Sequence, residues 1–294
     1  MDAVLALAEH HRRQAFSLPR AGNAIISAET GMTYVIGKKL GGGGFGTVFH
    51  CVDDWDHNLV AKVLMPIGDQ QEMESRATSE VLAANIVRSP HIVQVHDAFV
   101  FEGAYYIISE MCTWSLHDFM RRRGCKRHFW FPPLVKAVLH ALHFMHTRGL
   151  AHCDIHSGNV LLHCKHDCIA PGEQSALDFK VGDFGQTRLA SVAAPRSTWN
   201  ENCVPPEVLD ESFGPTDFRA DLYQAGLLFL RFLTRRKIEF DNDDVLSGAP
   251  RKLAEGLSHP AGAAISCMLR RHVEARPDSA LQAWHMIKDG LRQN

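Results

Sequence analysis

His152-Cys153-Asp154-Ile155-His156-Ser157-Gly158-Asn159 lies between an amphipathic stretch, Pro133–His146, and the apolar run Val160-Leu161-Leu162. A carboxylate and a carboxamide five residues apart on one loop suit work at a phosphate. Asp154 can orient or deprotonate an attacking hydroxyl, and the carboxamide oxygen of Asn159 can help hold a magnesium ion. Taken alone, the same octapeptide fits an ordinary polar loop. Its weight depends on partners at matching distances on both sides.

The 294 residues are enough to bury a full core, as one large domain or two lobes. With 46% hydrophobic residues, 22% charged residues and a net charge of −2, nothing favours a nucleic-acid binder or a membrane-surface protein. No apolar run approaches the ~20 residues that a spanning helix needs. Ala3–Ala8 is apolar, but Asp2 precedes it and His10-His11-Arg12-Arg13 follows, the reverse of an export signal. The 8 cysteines are scattered and read as reduced thiols in an intracellular compartment. His163, Cys164, His166 and Cys168 form the densest group of metal-type ligands. Their spacing is cramped and no separated second pair exists, so a polar hairpin tip is the default reading.

Along the chain, residues 1–20 read as a short amphipathic helix ending near Pro19, and 21–32 as a linker. Tyr34–Leu40, Thr47–Asp53 and Leu59–Leu64 are β-rich runs separated by Gly41-Gly42-Gly43-Gly44 and a polar turn. Gln70–Ala84 has helical character, and Ile92–Val95 and Tyr105–Ile108 are further strand candidates. In Pro133–His146, Leu134, Ala137, Val138, Ala141, Leu142 and Met145 recur at helical spacing. Strands first and helices afterwards predict an α+β chain with a small sheet-rich lobe and a larger helical lobe.

Gly41-x-Gly43-x-x-Gly46-x-Val48 falls between two strand candidates. Glycines let backbone N–H groups approach phosphate oxygens, although a glycine-rich hairpin without a ligand looks the same. A dinucleotide-binding version would open a helix at once. Here Thr47-Val48-Phe49 continues as strand, which disfavours it. Lys62 interrupts the apolar strand Leu59–Leu64 and must either find an anion or snorkel out of the core. Glu72, Glu74 and Glu80 are candidate partners. Glu80 is the best placed, because Val81, Leu82 and Ala84 make its helix amphipathic.

With these residues in family order, the chain resembles a eukaryotic-type protein kinase from about Tyr34 to Ile287. The resemblance rests on the glycine loop, Lys62, Glu80, Ser89-Pro90-His91-Ile92-Val93, the loop around Asp154, Asp183-Phe184-Gly185, Pro205-Pro206-Glu207, Asp221-Leu222-Tyr223-Gln224-Ala225-Gly226 and Arg276-Pro277. It implies a two-lobed kinase fold, with an antiparallel-sheet N-lobe carrying one main helix and a helical C-lobe. The implied boundaries are an extension at 1–32, an N-lobe at 33–110 and a C-lobe at 111–294. It further implies that Gly41, Gly43, Gly46, Val48 and Val60 surround ATP, and that Lys62, paired with Glu80, meets its phosphates. Ser109 falls at the gatekeeper position, where a small residue leaves space behind adenine. Glu110 and Cys112 would offer it backbone groups. Asp154 becomes the base or orienter, Asn159 and Asp183 the Mg2+ ligands, and Arg276 the partner of Glu207.

The sequence departs from the family at several points. Cys153 stands where an arginine usually receives an activation-segment phosphate, which implies activity without phosphorylation of Ser191, Ser197 or Thr198. His156 replaces the lysine that neutralises the transferring phosphate, a swap also found in small-molecule kinases related to aminoglycoside phosphotransferases. A nearby phosphate would favour its protonated form. Asn200 stands where Ser/Thr kinases usually carry threonine. The surplus of about ten residues at 163–178 reads as an extended hairpin and a docking surface. The expected activity is phosphate transfer from ATP to Ser/Thr hydroxyls of protein substrates. The alternatives are a small-molecule phosphotransferase of the same superfamily and an ATP-binding pseudokinase scaffold. The departures and the lack of attached regulatory regions would suit a viral or host-directed bacterial kinase.

Overall fold

In Asn58–Leu64, Leu59, Ala61 and Val63 are buried while Val60 and Lys62 are half-buried. This two-residue period turns one face of the strand into a core and leaves the other more open. The computed structural model describes residues 17–43, 46–64, 89–164, 177–190, 192, 196–234 and 238–292. The chain divides into two compact units, Met1–Asn85 with Gln94–Met111, and Ile86–Val93 with Cys112–Asn294.

The first unit holds an antiparallel sheet of β1 (Ala24–Ile26), β2 (Thr33–Gly43), β3 (Gly46–Asp53), β4 (Asn58–Leu64), β5 (Val95–Phe101) and β6 (Ala104–Glu110). Their order is β1-β2-β3-β4-β6-β5. Ile36, Phe49, Cys51, Ala61, Val63 and Ile108 pack on the covered face. The stretch 21–32 is therefore not the linker expected from its composition, because Ala24–Ile26 pairs with Thr33–Val35. One apolar side chain, Ile25, is buried, and Asp97 ties the hairpin down by accepting from the Thr30 hydroxyl at 2.8 Å and the Tyr34 hydroxyl at 2.9 Å. Local polarity hid a strand whose stability comes from its neighbours. The helix expected at Gln70–Ala84 lies outside the described residues, as do residues 1–16.

Ile92–Val95 is not a strand of that sheet. Val95 opens β5, whereas Ile92 and Val93 join the second unit through a bridge to Val181 and the bond from Val93 N–H to the Val181 carbonyl at 2.9 Å. In that unit β9 (Val160–Cys164) pairs antiparallel with β10 (Leu177–Val181), and β7 (Trp114–Ser115) completes the order β10-β9-β7. The ends of the 163–178 insertion thus pair as strands, while 165–176 lies outside the described residues, taking His166 and Cys168 with it. β8 (Leu150–Ala151) pairs with β11 (Arg188–Leu189). Among the described residues no helix is long and apolar enough to cross a membrane.

The first long helix begins at Arg127, not Pro133, and carries Pro132 and Pro133 inside it. Each proline removes an N–H from the helix ladder. Buried Trp130 and Phe131 offset that loss, as does Arg127, whose Nη1 donates to the carbonyls of Phe232 at 3.1 Å and Thr234 at 2.7 Å. Those carbonyls end Arg219–Leu233, a helix buried on nearly every side. Below it, Arg276 Nη1 donates to Glu207 Oε1 at 2.8 Å in a pair fully shielded from solvent. The guanidinium also donates to the carbonyls of Arg219, Arg270 and Arg271 and lies over the Tyr223 ring. Every donor so engaged makes the pair hard to break from one side only. Glu207→Ala strands the cation and lowers stability by about 3–5 kcal/mol. The loss is read as a lower urea midpoint at unchanged m, and a loss below about 1 kcal/mol would show that the cation finds other partners.

Candidate active site

On the more open face of the sheet, Val48 lies opposite Lys62, Lys62 opposite Ile107, and Val60 opposite Ser109. The pleat therefore brings Val48, Val60, Lys62 and Ser109 to one side of three adjacent strands. Gly41 lies across from Val48 and Gly43 across from Gly46. A side chain at Gly41 would meet nothing within 4 Å, whereas a Cβ at Gly46 would lie 2.7 Å from the Val63 carbonyl oxygen. Glycine at 46 is thus demanded by the close approach of β3 to β4. At the end of β6, the Glu110 N–H donates to the Gln94 carbonyl at 2.9 Å and the Glu110 carboxylate accepts from the Gln94 N–H at 2.7 Å. Cys112 follows, half-buried. Glu72, Glu74 and Glu80 lie outside the described residues.

The other sequence-derived candidates converge in the helical unit, on a loop built around Asp221. This carboxylate is fully buried. Its Oδ2 accepts from the His152 N–H at 2.8 Å and faces His146 Nε2 at 2.8 Å, and its Oδ1 accepts from the Cys153 N–H at 2.7 Å. Two consecutive N–H groups reach one carboxylate because the chain turns sharply at Cys153, which sits at φ 67. A left-handed non-glycine residue costs roughly 1–2 kcal/mol, which charge-assisted bonds of this kind offset. Gln224, one turn further along the helix, extends the clamp. Its Oε1 accepts from the Ile155 N–H at 2.9 Å, and its Nε2 donates to the carbonyls of Cys153 at 3.2 Å and Cys203 at 3.3 Å.

The clamped loop presents Asp154. Asn159 Nδ2 donates both to the Asp154 carbonyl at 2.9 Å and to Asp154 Oδ2 at 3.0 Å, and His156 Nε2 lies 3.5 Å from the same oxygen. Asp154 Oδ1 is buried and has no hydrogen-bond partner among the described residues. The Gly182 N–H donates to the Asn159 carbonyl at 2.9 Å, so the segment carrying Asp183 is stitched to the loop. His152 closes the arrangement, with Nε2 3.2 Å from the Gly182 carbonyl and Nδ1 accepting from the Asp154 N–H at 3.3 Å. Burial lowers the His152 pKa, in keeping with a neutral ring that donates at one nitrogen and accepts at the other. Asp183 is exposed at φ 60, and its Oδ1 accepts from the Gly185 N–H. Phe184 beside it is buried against His152. Asp154, His156 and Asn159 thus form one cluster, and Asp183 follows directly on the Gly182 bond to Asn159.

Three contributors were not singled out from the sequence. Gln224 had a signal, a polar residue inside the apolar run Leu222–Leu230. His146 had none beyond its place at a helix end. The third is Arg188, whose guanidinium lies 4.6 Å over the Trp199 ring and whose positive charge acts on the Cys153 thiol. Burial pushes that thiol well above its usual range, so Cys153 is a packed side chain and not a reactive one. Trp199 and Cys203 are both buried. Asn200 caps the short turn after it by accepting from the Asn202 N–H at 3.1 Å.

The family model for the protein kinase domain matches residues 34–284. Among relatives, the yeast (Saccharomyces cerevisiae) cell cycle serine/threonine-protein kinase CDC5/MSD2 is 28% identical over 211 residues, 69% of this chain and 28% of its own. The rat (Rattus norvegicus) serine/threonine-protein kinase PLK2 is 24% identical over 270 residues, 88% of this chain and 38% of its own. A probable serine/threonine-protein kinase, zyg-1, from Caenorhabditis elegans is 25% identical over 209 residues, 68% and 27% respectively. The chain therefore spans well under half the length of these relatives.

Burial alone would raise the pKa of Asp221, but hydrogen bonds from His146 and the Cys153 backbone outweigh it and hold the carboxyl below its usual range. The unfolded carboxyl titrates near ~3.9. In acid the unfolded chain therefore binds the proton first, so this stabilisation is present above that pH and lost as pH falls through the folded value. Removing the group by Asp221→Asn makes stability fall less steeply than in the parent below about pH 5. Equal slopes in thermal melts taken across that range would contradict the assignment.

Proposed function

Because the chain belongs to the protein kinase family, we propose that it transfers the γ-phosphate of ATP to Ser/Thr hydroxyls of protein substrates. The observation that carries this reading is Asp154. Its Oδ2 is held by Asn159 and approached by His156, while its Oδ1 is buried and unpartnered among the described residues. An unsatisfied buried acceptor costs about 1–3 kcal/mol, and a donor hydroxyl arriving at Oδ1 would recover that cost. Asp154 then orients the hydroxyl and takes its proton as the oxygen attacks phosphorus. Gln224 and Asp221 keep the carboxylate in place without touching the substrate. Lys62, with Glu80, meets the nucleotide phosphates. Gly41, Gly43 and Gly46 offer backbone N–H groups, Val48 and Val60 line the base, and Ser109, Glu110 and Cys112 border it.

Asn159 and Asp183 fit a magnesium ion, which prefers oxygen ligands. The Asn159 amide group is spent on Asp154, which directs the carboxamide oxygen the other way. The Gly182–Asn159 bond couples the segments that carry the two ligands. Magnesium supplies charge neutralisation at the phosphates.

The activation segment is held without phosphate in this reading. Arg188 lies over the Trp199 ring, which packs in one buried cluster with Cys153, where an arginine in place of Cys153 would otherwise wait for a phosphorylated residue. The chain forms a single catalytic domain over 33–294, with 163–178 as a docking surface for protein partners. Alanine at Ser191, Ser197 and Thr198 together leaves kcat within about threefold of the parent, and a collapse in rate would return control to phosphorylation. Transfer of radiolabelled phosphate from ATP to a generic protein substrate falls about 10²–10⁴-fold in Asp154→Ala. Unaltered transfer in that variant, or transfer only to small molecules, would overturn the assignment.

A further inference from the structure

His156 occupies the position where a lysine was expected to face the transferring phosphate, but one ring nitrogen is already hydrogen-bonded and the other faces Asp154. The Gly158 N–H donates to Nδ1 at 2.9 Å. A donor N–H can approach only the lone pair of an imidazole nitrogen, so Nδ1 carries no proton and the ring's single proton resides on Nε2. Nε2 lies 3.5 Å from Asp154 Oδ2. Glycine at 158 is part of the device, because a Cβ there would lie 2.6 Å from His156 Cε1 and 2.9 Å from Nδ1. Any side chain at 158 would push the ring off its N–H anchor.

We propose that His156 is a positioning residue that acts through Asp154, as a neutral hydrogen-bond donor to the oxygen that does not take the substrate proton. This rests on the kinase reading above. Two donors, His156 Nε2–H and Asn159 Nδ2–H, address Oδ2 from the two ends of the His156–Asn159 turn. Together they fix the plane of the carboxylate and leave Oδ1 as the only oxygen with a vacant lone pair. A neutral donor suits this task, because a cation so close to a base stabilises the carboxylate and weakens its pull on a proton. The 3.5 Å separation is long for a hydrogen bond, and catalytic contacts of this kind tighten when substrate arrives.

The substitutions that test it separate donor, acceptor and charge. His156→Gln keeps a neutral N–H near the place of Nε2, His156→Asn keeps only an acceptor for Gly158, and His156→Lys supplies a fixed charge. Expected is a kcat within about threefold of the parent for His156→Gln, and a fall of about 10–100-fold for His156→Asn and His156→Lys, with KM for ATP unchanged in all three. A lysine variant as active as the parent, a rise in KM for ATP at constant kcat, or equal activity in every variant would each overturn the proposal. A readout independent of turnover is the imidazole ¹⁵N spectrum of the full chain, with His156 assigned by its disappearance in His156→Gln. It should show a proton on Nε2 and none on Nδ1, and a protonated Nδ1 would overturn the proposal even in an active enzyme. A parent that transfers no phosphate to protein would instead bring down the kinase reading itself.

Discussion

One buried carboxylate organises the chemistry of the helical unit. Asp221 sits inside a helix with no access to water and gathers the N–H groups of His152 and Cys153 together with the imidazole of His146. A charge in that setting persists only when fully hydrogen-bonded, so the loop that supplies the donors has little freedom to adopt another shape. The left-handed turn at Cys153 follows from that demand. Its strain is local, and the bonds that compensate it are made by Cys153 itself and the residue before it.

From this anchor, constraint passes outward through side chains that each satisfy two segments at once. Gln224 binds the loop at Cys153 and Ile155 and also the segment at Cys203. His152 links the loop to Gly182, and Gly182 returns a hydrogen bond to Asn159. The result is a site in which Asp154 is oriented by its surroundings while one of its oxygens stays unpartnered among the described residues. Preorganisation of this kind is what a phosphoryl-transfer enzyme needs, since it forms few covalent bonds of its own and works by placing groups. The buried Glu207–Arg276 pair performs the same service at the end of the activation segment, fixing where that segment rejoins the helical core.

Where the sequence could be read, local chemistry and final structure agreed. The β-rich run Leu59–Leu64 announced a strand, and Asn58–Leu64 is one. The glycine loop announced a hairpin, and β2 and β3 pair through Gly41, Gly42 and Gly43. Misreadings occurred where a distant residue outvoted local propensity. Pro132 and Pro133 look like a helix start, yet Arg127 and its carbonyl partners 104 to 107 residues away extend the helix backwards. Residues 24–26 look like linker, yet the strand beside them and Asp97 recruit them into the sheet. Arg188 carried no local mark of its role, because stacking on Trp199 depends on how the activation segment folds back.

By itself the sequence determined the identities and spacing of the chemical groups, Lys62, Asp154, Asn159 and Asp183, and with them the family, because spacing along a chain is a one-dimensional property that motifs preserve. Only the tertiary structure decided which oxygen of Asp154 is left unpartnered among the described residues, which nitrogen of His156 accepts from Gly158, and that Cys153 is buried beside Trp199. Those are matters of direction, and the direction of a side chain is set by neighbours that the linear order does not bring together.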